Sequence, residues 1–429
     1  MAFFAPIIFG ALLLSSPWAR NAGTWGDWST ALFTSCSAIC VTGLSVVDIV
    51  KEYTFSGQVV LIALVQLGGF GYMTLGTFLL VFIGRRLSLS QEFTLKNAYG
   101  TTAVRGIKGL LLSAIFSTLF FEAAGAGIFY WRTGDLYGAI FYSVMSFCNA
   151  GFGLSPASLA PYADDPYILI SLAFLTLLGG IGYMVLYNLL TFKIIRSPSG
   201  AKGKLSLHTR IMLRFTMYLV SIAFVLFLLF EWNGSLESMS FWKKILVGFY
   251  QSTSPRTCGF TVIQMSDIEP VNRLVIEILM FIGGGSGSTA AGMKVTTLAV
   301  LVYTLTAMCR GDNETVISKY VVPFPIVREA FVIFMLHVMM ILVAFGALLV
   351  TESGNMILSG DLFFETVSAI TNTGLSVGST TSLLSIPGRC VIMVGMFCGH
   401  LGALTVVMLI GERESVNRIR FPTGELVVG

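Results

Sequence analysis

Apolar runs alternate with short polar stretches along the whole chain, and the alternation is paired. The runs fall near residues 2–16 and 57–83, 110–131 and 167–192, 211–232 and 272–306, and 328–351 and 388–411. About 17–25 apolar residues cover a hydrocarbon core of roughly 30 Å, so each run predicts a transmembrane helix. The first, AFFAPIIFGALLLSS, is shorter; it lacks the preceding basic residues of a signal peptide and is read as a span. Between the members of each pair the pattern predicts a short helix, near 28–40, 137–148, 241–254 and 361–372. At about 1.5 Å per residue such a helix reaches only about 18 Å and must re-enter. Non-helical backbone at that depth survives only when it is buried in protein or faces water.

Each short helix runs into a glycine-bearing segment: AICVTGLSV, SFCNAGFGL, PRTCGFTVI and AITNTGLSV. Gly43, Gly151, Gly259 and Gly374 recur at spacings of 108, 108 and 115 residues. A second echo follows 24 to 28 residues later, in QLGGFGYMTLG, LLGGIGYMVLY, MFIGGGSGSTA and MFCGHLGALTV. Two landmarks in register four times predict an internal repeat. The expected fold is an all-α polytopic membrane protein of four pseudo-symmetric units, each helix, re-entrant pore helix, filter loop, helix, with eight transmembrane helices. The units are 1–105, 106–205, 206–322 and 323–429.

Composition agrees with a membrane protein: 55% hydrophobic, 11% charged, mean hydropathy +0.83. A soluble domain carries about 25% charged residues. Seven cysteines without a CxxC pair and three histidines argue against a disulfide framework or a zinc centre. No P-loop appears, and the net charge of +4 bears on topology rather than on nucleic acid. Of the 26 Lys and Arg, 17 follow the second spans, among them Arg85, Arg86, Lys193, Arg196, Arg310, Arg413 and Arg418. The positive-inside rule places these segments and both termini in the cytoplasm of a multi-pass protein of the cell membrane. The basic loops suit anionic lipid or a regulatory protein.

Four re-entrant helices about one axis point their partially negative C-termini at a common centre. Backbone leading outward from there offers rings of carbonyl oxygens that replace a cation's hydration shell. The ring residues would be Val41, Thr42, Gly43 and Leu44; Asn149, Ala150, Gly151 and Phe152; Thr257, Cys258, Gly259 and Phe260; and Asn372, Thr373, Gly374 and Leu375. Extended backbone of that kind calls for glycine. Close helix approach would explain one such glycine; it does not explain four in register.

VTGLS, NAGFG, TCGFT and TNTGLS resemble the four filters of the Trk/Ktr/HKT superfamily of potassium transporters, and GGGSGSTAAGMK resembles its intramembrane loop. The resemblance spans almost the whole chain and is nearest to the KtrB membrane subunits. It implies a pore-forming subunit for potassium uptake, a homodimer with one pore per subunit, and a cytosolic ring of KtrA-like, RCK-type nucleotide-binding regulators. Glycine in all four filters implies potassium as the transported ion, with sodium dependence or symport left open and no organic cofactor on this chain. The resemblance makes Gly283, Gly284, Gly285, Ser286, Gly287, Ser288, Thr289, Ala290, Ala291 and Gly292 a gate loop below the filter. Glycines there unwind the span, while Ser286, Ser288 and Thr289 are expected to satisfy freed backbone groups.

Ionisable groups inside spans point to function, which singles out Lys294 and His400 as pore-facing basic residues. The family tends to carry Arg at the position of His400, so a pH-sensitive barrier and a neutral packed ring are both open readings. Glu122 and Glu365 read as structural partners or cation ligands, while Asp48, Asp164, Asp165, Asp267 and Glu269 follow three filters on the outer side. Arg256 stands beside the third filter without an evident partner. A rival reading is a rhomboid-like intramembrane serine protease, with Ser286 in the G-x-S-G string at Gly284–Gly287 and His400 as its base. It leaves the fourfold repeat unexplained.

Overall fold

The computed structural model describes residues 4–70, 105–191 and 205–402. The basic segments at 71–104, 192–204 and 403–429 lie outside the described residues, as do the distal parts of the second and eighth spans.

The described chain is almost wholly helical. It runs α1 (Phe4–Ser15), α2 (Trp28–Ile39), α3 (Phe55–Gly69), α4 (Arg105–Thr133), α5 (Leu136–Cys148), α6 (Pro166–Ile181), α7 (Tyr183–Thr191), α8 (Leu207–Glu231), α9 (Phe241–Thr253), α10 (Pro270–Phe281), α11 (Val295–Arg310), α12 (Phe324–Thr351), α13 (Ser359–Ile370) and α14 (Ile386–Leu401). A two-stranded hairpin, Val316–Ile317 with Tyr320–Val321, joins α11 to α12. Among the described residues three helices, within α4, α8 and α12, are long and apolar enough to cross a membrane, or four counting α6 with α7. Their outward faces carry Phe116, Leu119, Met217, Ile222, Leu342 and Val343, each more than half exposed. Contiguous apolar surface of that extent is what a lipid-facing helix presents.

The short helices α2, α5, α9 and α13 occupy the interior. On α5 everything from Gly138 to Cys148 except Ile140 is buried. Asp27 and Asp135 cap α2 and α5 by accepting N–H groups of their first turns, a bond that replaces water at an otherwise orphaned helix end.

Lipid gives helices no hydrophobic reason to associate, so close contact depends on small residues. The second glycine echo supplies them. A Cβ on Gly68 would strike the Ile39 carbonyl oxygen, one on Gly179 that of Phe147, and one on Gly399 that of Ile370. These carbonyls lie four residues before Gly43, Gly151 and Gly374 respectively, so α3, α6 and α14 are wedged against the last turns of α2, α5 and α13. In the third quarter the corresponding glycines sit in the break between α10 and α11 and contact one another's neighbours instead: a Cβ on Gly283 would strike Ala291 O.

Candidate functional site

The ends of α2, α5 and α13 share one construction. The N–H of Val41 bonds Ala38 O (3.1 Å) and that of Thr42 bonds Ser37 O (2.8 Å). Asn149 and Ala150 repeat the pattern with Ser146 and Met145 (3.3 and 2.8 Å), as do Asn372 and Thr373 with Ala369 and Ser368 (3.2 and 2.9 Å). This is the Schellman ending, whose left-handed residue is ordinarily Gly or Asn. Val41, Asn149 and Asn372 hold it here at φ of 55°, 61° and 49°. The third segment departs from the pattern, with Arg256 N to Thr253 O (3.2 Å) and Cys258 N to Ser254 O (3.0 Å), yet Thr257 is again left-handed at 72°.

The backbone therefore differs from the uniformly extended strand expected from sequence. A left-handed residue comes first in each segment, and Gly43, Gly259 and Gly374 return to positive φ at 93°, 80° and 84°. Gly151 does not. Keeping a β-branched residue such as Val41 or Thr257 left-handed costs about 1–3 kcal/mol, which the surrounding packing must offset.

The four glycines meet. A Cβ on Gly43 would strike the backbone of Gly151, one on Gly259 the Thr373 carbonyl oxygen, and one on Gly374 the Thr42 carbonyl oxygen. A Cβ on Gly151 would come within 2.8 Å of Gly259 Cα. Side chains tie the ring together, with Thr42 Oγ1 donating to Asn372 Oδ1 at 3.0 Å and Gly43 N to Ser37 Oγ at 3.1 Å. On one side of the ring opens a cavity of about 430 Å³ lined by Gly43, Gly151, Gly374, Ser45, Asp48 and Ser376 among others. Of the outer acids, Asp48 caps the single turn Ile49–Glu52, while Asp164 and Asp165 are paired with Lys243 (2.6 Å) and Arg132 (2.7 Å). Pairing reduces the field that those two lend to the cavity.

The segment 283–292 is a loop closed at its neck by Met293 N to Phe281 O (3.2 Å) and Val295 N to Gly284 O (3.0 Å). Its body seats on a second break that sequence reading ran through as one span: α6 and α7 meet at Gly182 (φ 104°) with a bend of 101°. There Gly285 N donates to Gly180 O (2.8 Å) and Tyr183 N donates to Gly287 O (3.0 Å). Thr289 Oγ1 donates to Phe147 O (3.2 Å) and lies 2.9 Å from the amide of Asn149, the left-handed residue of the second segment. Ser288 Oγ donates to Gly285 O (2.8 Å), but Ser286 Oγ pairs with the Thr296 hydroxyl (3.3 Å) rather than with backbone. Ala290 and Ala291 are buried inside the loop.

Lys294 Nζ donates to Ala290 O at 2.7 Å, closing the loop from below. His400, at the end of α14, has Lys294 as an electrostatic neighbour and hydrogen-bonds the backbone of Cys40. Arg256 turns away from the ring, its Nη2 approaching Gly283 O (3.4 Å) and Thr216 Oγ1 (3.5 Å). The signal for that contact was an arginine one residue before Thr257 of the third glycine segment; its direction depends on the fold. Glu122 is a structural partner of Gln66 (3.2 Å) and Cys148 (3.7 Å) behind the second segment.

Comparison with known proteins follows the same lines. The family described as TrkH, cation transport protein, matches residues 15–418. The Ktr system potassium uptake protein B of Bacillus subtilis is 33% identical over all of this chain and 95% of its own length. The potassium/sodium uptake protein NtpJ of Enterococcus hirae is 30% identical with the same coverage. The crystal structure of the potassium transporter TrkH from Vibrio parahaemolyticus superimposes with a TM-score of 0.73 over 96% of this chain and 84% of that one; at 18% identity the likeness is one of fold. These relatives are transporters, not enzymes, and the serine-protease reading of Ser286 and His400 finds no support among them.

Proposed function

This chain belongs to the TrkH family of cation transport proteins, and from that premise we propose that it is the pore-forming subunit of a potassium uptake system in the cell membrane. Potassium is selected by the backbone carbonyls of Val41–Leu44, Asn149–Phe152, Thr257–Phe260 and Asn372–Leu375. A bare cation at the axis trades water for these oxygens, and the close seating of the glycines fixes how far the oxygens stand apart. The observation that carries the reading is the convergence of Gly43, Gly151, Gly259 and Gly374, each of which would collide with a neighbouring segment if it bore a Cβ.

The loop 283–292 gates the pore. Its bonds to Phe147 and Asn149 tie it to the second filter segment, and its seat at Gly182 couples it to α6 and α7. Lys294 adds a basic side chain beside the loop, where its charge opposes cation passage, and His400 packs next to it. The four units 1–105, 106–205, 206–322 and 323–429 surround one pore per subunit, with both termini cytoplasmic. The working assembly is a homodimer on a cytosolic RCK-type nucleotide-binding ring, and potassium is the ion carried. The relatives named for potassium and for potassium/sodium uptake support this ion assignment.

The test is rubidium uptake into proteoliposomes holding the purified chain, with potassium, sodium and lithium as competitors. Uptake blocked by potassium, spared by sodium and degraded in Gly259→Ser is the expected result. Uptake indifferent to that substitution would overturn the filter assignment.

A further inference from the structure

Counting back nine residues from the four filter glycines gives Thr34, Tyr142, Tyr250 and Glu365. Three are neutral hydroxyl residues and one is an acid. At two of these positions the side chain links a short helix to the chain leaving the ring: Leu154 N donates to Tyr142 Oη at 3.2 Å, and the Thr381 hydroxyl donates to Glu365 Oε1. A neutral side chain is enough for that task, so the charge at Glu365 needs its own account.

Glu365 is fully buried, and among the described residues its Oε2 has no hydrogen-bond partner. As a carboxylate it has hydroxyl neighbours but no compensating positive group among the described residues, and a buried charge without one is unfavourable away from water. The charged neighbour Asp361, one turn earlier on α13, is itself an acid and is engaged with Arg273 at 3.6 Å. Thr381 Oγ1 also lies 3.0 Å from Ser376 Oγ, and both residues line the polar cavity above the glycine ring. One carboxylate thus stands directly behind two hydroxyls of the cavity wall.

We infer that Glu365, Ser376 and Thr381 form a binding site for a sodium-sized monovalent cation, beside the permeation axis and reached from the outer cavity. The ligands are all oxygen, which suits a hard cation. A single negative charge balances a monovalent ion, and among the described residues no cluster of three or more His, Cys, Asp or Glu offers a divalent site. The few oxygens favour a small ion over potassium, which the ring of carbonyls would serve. Sodium there neutralises Glu365 and braces the chain that leaves the fourth filter segment. This rests on the filter reading for its role in uptake, but not for the binding itself.

The experiment is thermal unfolding of the purified full chain in detergent, titrated with sodium or potassium chloride at ionic strength held constant with choline chloride. Sodium is expected to raise the midpoint of the wild type with a saturable dose response. Glu365→Gln should weaken the apparent sodium affinity at least tenfold while leaving the potassium response within threefold. Ser376→Ala, which keeps the charge and removes one oxygen, should weaken sodium in the same direction by a smaller factor. A sodium response identical in all three proteins, or none in a wild type that responds to potassium, would overturn the site. A wild type stabilised by sodium through Glu365 but indifferent to potassium would uphold this site and count against the filter reading.

Discussion

Alanine at Gly259 and alanine at Gly151 should have different consequences although the two residues touch. At Gly259 the backbone sits at φ 80°, and a Cβ there would strike Thr373 O while lying 2.9 Å from Gly151 Cα and 3.2 Å from Gly374 Cα. Holding a residue with a side chain in the left-handed region costs about 1–2 kcal/mol, and forcing a methyl into a filled space costs about 1–3 more. The sum is about 2–5 kcal/mol. At 1.4 kcal/mol per tenfold, that leaves the wild-type arrangement in roughly one molecule in thirty to one in several thousand. Gly151 is not in the left-handed region, so Gly151→Ala bears only the crowding, with Gly259 Cα at 2.8 Å. Rubidium uptake in proteoliposomes, with sodium as competitor, reads both. Gly259→Ala should lose discrimination against sodium almost completely, and Gly151→Ala should lose less. Equal losses, or a Gly259→Ala protein with wild-type selectivity, would refute the reasoning.

Thr289→Val keeps the shape of the loop and removes its bonds to Phe147 O and Asn149; two bonds at about 0.5–1.5 kcal/mol each should shift the gate toward open and raise rubidium uptake about tenfold. Glu352 is buried and accepts from Ser385 N (3.2 Å), Ser385 Oγ (2.5 Å) and Asn355 Nδ2 (2.5 Å), pinning the start of α14 to the end of α12, so Glu352→Gln should cost about 2–4 kcal/mol and lower the thermal midpoint measurably. At Asp27, outside the spans, slight burial works against the charge, but the Thr30 hydroxyl and the N–H groups of Thr30 and Ser29 outweigh it and hold the carboxyl below its usual value. A carboxyl lowered by folding stabilises above the unfolded value near 4 and loses that contribution as the pH falls through the folded value. The deficit of Asp27→Ala, about 1 kcal/mol at neutral pH, should therefore shrink as thermal midpoints are followed below about pH 4.

Periodicity made the helices legible. The short helix near 137–148 is observed at Leu136–Cys148 and that near 241–254 at Phe241–Thr253, because each begins at a polar residue and ends where the apolar pattern gives way to the glycine segment. The glycine string 283–292 announced a break by composition alone. Gly182 did not: LLGGIGYMVL keeps its hydropathy through the bend, and what stabilises the turn there is backbone of another segment, Gly287 O receiving Tyr183 N. No local signal reports a partner a hundred residues away. The same holds for Arg256, whose contact with Gly283 O joins two loops. The left-handed Val41 was also hidden, because valine ordinarily avoids that conformation and only the Schellman ending of α2 imposes it. For Glu365, sequence register exposed the odd member among Thr34, Tyr142 and Tyr250, while its uncompensated oxygen came from the packing.

Anomalous diffraction from crystals of the purified chain soaked in thallium would test the central claim most directly, since thallium substitutes for potassium and scatters strongly. Density is expected on the axis encircled by Gly43, Gly151, Gly259 and Gly374, lost on competition with potassium and retained in sodium. Density confined to other places, or axial density that sodium displaces as readily as potassium, would contradict it.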